Sequence, residues 1–205
     1  MSLLPQALAV AWASGVSVYA TVALLGLAAR FGWVSSLPAS LDGLADWWVI
    51  GLAVALYAFE FLATLIPGIA SAWETFHSAI RPVAGAALAA TTVWQADARL
   101  AVVAALLGGT LALGTHATKL GLRYAIDTSP EPVSNGVANV TELGLVATVA
   151  LAVWNHPYIA LGVAVVALVL GVLAVRAMWR LVRGTLRRVR DGGLWGARSV
   201  PPRRE

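Results

Sequence analysis

The chain has 205 residues, of which 60% are apolar and only 12% charged, with a formal charge of +4, nine Trp and no Cys. Its mean hydropathy is +0.80. A soluble domain is typically about 25% charged, so a water-soluble globule of this composition would lack the polar surface to cover itself. Without Cys there are also no disulfides, thiolate nucleophiles or thiolate metal sites. The expectation is an all-α, polytopic transmembrane helical bundle.

A membrane span needs ~20 mostly apolar residues, and the chain offers about six such segments. The first, residues 4–29, is interrupted by Ser14-Gly15-Val16-Ser17-Val18-Tyr19-Ala20-Thr21, a small, polar stretch of the kind that breaks a helix or lets a neighbour approach closely. Residues 1–11 lack the basic region and cleavage box of a secretory signal and read as the start of a permanent helix. A linker (30–46) follows. The second span, 47–66, opens with Trp47 and Trp48 at the expected interface and closes at Pro67-Gly68.

Residues 69–80 read as one interfacial amphipathic helix. Ile69, Trp73, Phe76 and Ile80 form its apolar stripe, with Glu74 and His77 as a solvated i,i+3 pair beside it. Trp73, Glu74, His77 and Arg81 are thus expected at the membrane surface. Arg81-Pro82 then starts a short third span of small residues, 83–94, which needs tilt or a thinned bilayer.

The fourth span, 100–122, contains Gly108-Gly109 and leads into His116, Lys119 and Arg123 on one helical face. The loop 127–136 is dense in turn formers. The fifth, 137–154, carries Glu142 about two turns inside, and the most apolar, 158–182, runs into a basic tail. Residues 176–205 hold nine of the 14 basic residues against Asp191 and Glu205, so this end carries +7 and the remainder −3. Basic flanks stay cytoplasmic, and six spans bring the N-terminus to the same side. The division is a transmembrane domain (1–182) and a basic cytoplasmic tail (183–205). Because the tail continues a hydrophobic helix, anionic lipid headgroups are its expected partner and nucleic acid is not. Small-residue faces such as Ala86 with Ala90 leave packing within the chain or in a homo-oligomer open.

Glu60 and Glu142 lie within spans, where an ionised group facing lipid costs at least ~2.5–3.5 kcal/mol. They should face the bundle or a wet cavity. Lys119, the only lysine, and His116 are the expected partners, and Tyr19 lies near the break in the first span. These five residues form the expected substrate or ion site. Two short matches, Tyr19-Ala20-Thr21 with His116-Ala117-Thr118 and Phe59-Glu60 with Thr141-Glu142, suggest a 3+3 inverted repeat of the kind found in transporters. No nucleophile-and-base motif, metal-ligand spacing or phosphate loop occurs, so no catalytic residue, metal or cofactor is expected. The leading expectation is a transporter-like or channel-like protein for a small solute or ion. A non-catalytic membrane scaffold that binds lipid or a partner is the second reading, and an intramembrane lipid-modifying enzyme built on His77, His116, Glu60 and Glu142 the third.

The stretches Gly15-Val-Ser-Val-Tyr19-Ala-Thr21, Glu60-Phe61 to Ile66-Pro67, Trp73-Glu74 to His77, Ile80-Arg81-Pro82-Val-Ala-Gly85, Thr115-His116-Ala-Thr-Lys119 and Asp127-Thr-Ser-Pro-Glu-Pro-Val-Ser-Asn135 resemble a bacterial membrane family known as domain of unknown function 4126. The resemblance covers roughly residues 8–180. It implies a small multi-span protein of the bacterial inner membrane and brings no established activity. This chain departs from the family in having Thr64-Leu65 where Asp-Lys is frequent, and Leu143 where an Asp often follows the glutamate.

Overall fold

The computed structural model describes residues 3–34, 37–66, 68–126 and 132–191. Every regular element among them is helical: α1 (Leu3–Val16), α2 (Val18–Arg30), a 3-10 segment (Ala39–Ala45), α3 (Trp47–Ala63), α4 (Ile69–Val93), α5 (Ala98–Ile126), α6 (Pro132–Ala152) and α7 (Pro157–Asp191). The all-α bundle read from the sequence is the architecture observed.

Its centre is α1. Ala7, Ala9, Val10, Ala11, Trp12 and Ala13 are all buried, as befits a helix that is apolar on every side. Helices α4, α5, α6 and α7 all pack on it. Small residues make the close approach feasible. A Cβ on Gly15 would stand 2.6 Å from the carbonyl oxygen of Ala112, and one on Gly85 would fall on the Ala112 methyl. Helices α4 and α5 form an antiparallel hairpin, the most extensive pairing in the molecule. Asp97 starts the second arm by accepting the Arg99 N–H at 2.7 Å.

The first span is broken. Ser17 leaves the helix with φ −155° and ψ 116°, and its hydroxyl oxygen caps α2 by accepting the Ala20 N–H. Helices α1 and α2 have 14 and 13 residues, each roughly 20 Å long at 1.5 Å per residue.

The expected surface helix 69–80 and short span 83–94 are instead one 25-residue helix, α4, with Pro82 inside it. Proline removes one backbone hydrogen bond and usually marks a boundary. Here packing against α1 and α5 carries the helix through. The fifth span also starts earlier than expected, at Pro132, a residue suited to a first helical turn.

Large apolar side chains point outward. Trp48 is 88% exposed, and Leu52, Phe59, Leu62, Val102, Leu106, Val169 and Leu170 are exposed as well. By length and composition, three helices are apolar enough to cross a membrane: Ala98–Tyr124, Asn135–Ala152 and Pro157–Leu181. A fourth is added if the 3-10 segment and α3, bent by 66°, count as one span. These helices are compatible with a membrane protein. The expected count of about six falls to three or four on this measure, because the first span is split and α4 carries charge. Helix α7 runs past the expected boundary at 182 as far as Asp191. The basic residues beyond it, and the Asp127–Glu131 part of the loop, lie outside the described residues.

Candidate functional site

Three helices each bring a polar stripe at one-turn and two-turn spacing to the same level of the bundle. On α4 it is Glu74, Ser78 and Arg81; on α5, His116, Lys119 and Arg123; on α6, Asn135, Asn139 and Glu142. Positions i, i+3 or i+4, and i+7 share a helical face, so each helix presents a column of polar groups. Glu60 of α3 completes the set.

Three cations meet three carboxylates here. Arg81 binds Glu60 at 2.6 Å and Glu74 at 2.8 Å. Lys119 reaches all three acids, at 2.9 Å from Glu74, 2.9 Å from Glu142 and 3.4 Å from Glu60. Arg123 lies 3.0 Å from Glu142 and also donates to the side-chain oxygens of Asn135 and Asn139. Asn139 in turn donates to the Thr64 hydroxyl and the Phe61 carbonyl. A lone buried ion costs several kcal/mol, and only close pairing with further hydrogen bonds offsets that cost. With three positive and three negative side chains the centre is formally neutral.

The break in the first span opens onto this centre. Lys119 donates to the Val16 carbonyl at 2.8 Å, and Arg81 lies 3.5 Å from the Gly15 carbonyl. These are the last carbonyls of α1, where the helix dipole is negative and favours cations. On the other side of the break, Ser17 donates to Glu60 at 2.9 Å while capping the N-terminus of α2. One interrupted backbone therefore meets a cation at its negative end and a carboxylate at its positive end.

Both buried histidines have defined partners. Arginine N–H groups only donate, so the Nδ1 of His116, 3.2 Å from Arg81, is the acceptor and its Nε2–H faces the Ser78 oxygen at 2.9 Å. His77 donates from Nδ1 to the Trp73 carbonyl at 2.8 Å, which leaves Nε2 to accept the Tyr19 hydroxyl at 3.2 Å.

Of the expected site residues, the structure gathers Glu60, Glu142, Lys119 and His116, whereas Tyr19 pairs with His77 outside the ionic cluster. The expected interfacial set is corrected. Glu74, His77 and Arg81 are at most 1% exposed, because α4 turns its polar stripe inward against α5 and its apolar Ile69 and Phe76 outward. Trp73 is partly buried and lies against His77, the rings tilted by 35° with centroids 4.4 Å apart. The residues that sequence reading missed are Ser17, Ser78, Asn135 and Asn139, with Arg123 taken only as a helix end. The matching heptad spacing of the three stripes was the available signal.

Two cavities adjoin the centre. One of about 10 Å³ lies between Ser17, Glu60, Thr64, Asn139 and Glu142, space for about one water. The other, of about 90 Å³, lies between α1, α5, α6 and α7 and meets the centre at Lys119 and Glu142. Glu142 borders both. Its side chain is 24% exposed, against 3% for Glu60 and 0% for Glu74.

Fold and site together define a small helical bundle that is apolar outside and ionic within. The model of the family described as Domain of unknown function (DUF4126) matches residues 4–177, and the chain belongs to that family. Comparison with curated proteins and with solved structures returned no match.

Proposed function

We propose that the chain is a transporter-like or channel-like protein of the bacterial inner membrane. It moves a small solute or ion through the ionic centre, with both termini cytoplasmic. The observation that carries this reading is the helix break at Ser17. Discontinuous helices whose exposed ends face charges at the middle of a bundle are a recurring device for solute and ion sites in transporters. The basic end of α7 supports the orientation, since arginines beside a span favour the cytoplasmic side, and it suits contact with anionic lipid headgroups. The test is reconstitution into proteoliposomes with a panel of ions and small metabolites. Flux above protein-free vesicles that falls in Glu60→Gln and Glu142→Gln supports the reading. No flux for any solute, or flux that both variants leave unchanged, contradicts it.

One observation favours the second reading, a non-catalytic membrane scaffold. Every charge of the centre is already paired, and the cavity between the two glutamates holds no more than a water. Under that reading the same two substitutions lower thermal stability and there is no flux to alter.

A further inference from the structure

The 90 Å³ cavity meets the ionic centre at Lys119 and Glu142. Its walls are mostly apolar, from Trp12, Val16, Leu145, Ala167 and Leu168, and its charged end is formed by Lys119 and Glu142. By the measure in which one water needs about 10–15 Å³, it has room for roughly six to nine non-hydrogen atoms. The shape is that of a site for a small molecule with an apolar body and one polar end.

The polar end can be read from the hydrogen-bond ledger. Among the described residues, the buried side-chain atoms without a hydrogen-bond partner are the indole N–H groups of Trp12, Trp73 and Trp154, the Nε of Arg81 and Arg123, the Nδ2 of Asn135, and one oxygen, Glu74 Oε2. That oxygen lies 2.8 Å from Arg81. The remaining six are donors. An interior with spare donors lacks acceptors, and Trp12, only 2% exposed, stands in the wall of this cavity.

Charge narrows the class further. An amine placed beside Glu142 would also lie beside Lys119 and be repelled. A carboxylate suits Lys119, but added alone it would leave the neutral centre with one negative charge in an apolar bundle, at a cost of several kcal/mol. Entering with one proton removes that excess, whichever oxygen holds the proton. The groups facing Glu142 are Lys119 and Arg123 from α5, with Glu60 and Tyr57 of α3 across the smaller cavity. The sides from α1, α2 and α7 are Trp12 and Val16, Ser17 and Ala20, and Ala167, Leu168 and Gly171.

We propose that this cavity binds a small monocarboxylic acid together with one proton, its carboxylate taking the place of Glu142 on Lys119 while Glu142 stays on Arg123. The inference rests on reading the ionic centre as a solute site, and it names the substrate class.

The test is equilibrium binding of radiolabelled butanoate to the full chain in lipid nanodiscs, with empty nanodiscs as blank and 1-butanol and butylamine as competitors. Wild type should bind butanoate, with affinity rising about tenfold per pH unit lowered between pH 8 and 6, the slope of one co-bound proton. In Glu142→Gln the centre carries one positive charge, the anion alone neutralises it, and the affinity should be flat over the same range. Ala167→Phe, which fills the cavity from α7, should lose binding at least tenfold with an unchanged melting temperature. If that variant is not stably folded, Leu145→Phe makes the same test from α6. Competition by butylamine or 1-butanol as strong as by unlabelled butanoate, a flat pH dependence in wild type, or undiminished binding in the filled cavity overturns the proposal. Butanoate binding without uptake into proteoliposomes supports this site and removes the transport reading. Flux of another solute with no butanoate binding removes this inference alone.

Discussion

Glu60 and Glu142 are the same residue type in matching short motifs, and the bundle gives them different surroundings. Glu60 is sealed, with Arg81 at 2.6 Å, Lys119 at 3.4 Å and the Ser17 hydroxyl at 2.9 Å. Glu142 is also held by two cations, yet it is 24% exposed and borders both cavities. The difference arises from the helices beside them. The break between α1 and α2 places Ser17 on Glu60, whereas α5, which supplies the two cations on Glu142, runs unbroken from Ala98 to Ile126. A carboxylate enclosed by protein acts as a strut, and one that keeps access to a cavity can exchange its partner.

The largest effect is expected where a cation serves the sealed side. Arg81→Met leaves Glu60 and Glu74 to share Lys119 as their cation, and breaking a buried pair typically costs about 3–5 kcal/mol. Little folded protein should elute from size exclusion in detergent. Glu60→Gln keeps the shape but leaves the centre one charge positive at a side chain only 3% exposed, for an expected loss of about 3 kcal/mol, read as a lowered thermal midpoint. Glu142→Gln makes the same charge change where solvent can enter, so about 1–2 kcal/mol is expected from the same measurement. Equal losses for the two glutamines would erase the distinction between them. The smallest effect is Ser17→Ala, which removes an N-cap worth about 1 kcal/mol. Its thermal shift should shrink further in a Glu60→Gln background, because the two groups share a hydrogen bond and their effects are not additive.

Much of this was legible in the sequence. Composition and apolar runs pointed to an all-helical bundle, the small polar stretch 14–21 marked a place for a helix break or a close approach, and the cost of intramembrane charge singled out Glu60 and Glu142, with Lys119 as a partner. Helix α4 was misread for a physical reason. Glu74, His77 and Arg81 on one side and Ile69 and Phe76 on the other make an amphipathic pattern, and that pattern fixes the two faces without saying which is outermost. At a water surface the charges face out; in an apolar bundle they face in, and only the partner stripe on α5 decides between these. Asn135 and Asn139 were missed because a neutral amide carries no charge penalty that would mark it. Pro82 drew a boundary where tertiary packing overrides local preference.

Glu142 is the open member of the ionic cluster, its side chain 24% exposed against 3% for Glu60 and 0% for Glu74. The most direct test is carboxyl labelling with dicyclohexylcarbodiimide, which enters lipid, followed by peptide mass spectrometry on the native protein in nanodiscs. Glu142 should be modified in the native protein, while Glu60 and Glu74 should react only after unfolding. Labelling of Glu60 or Glu74 as fast as Glu142 would contradict this.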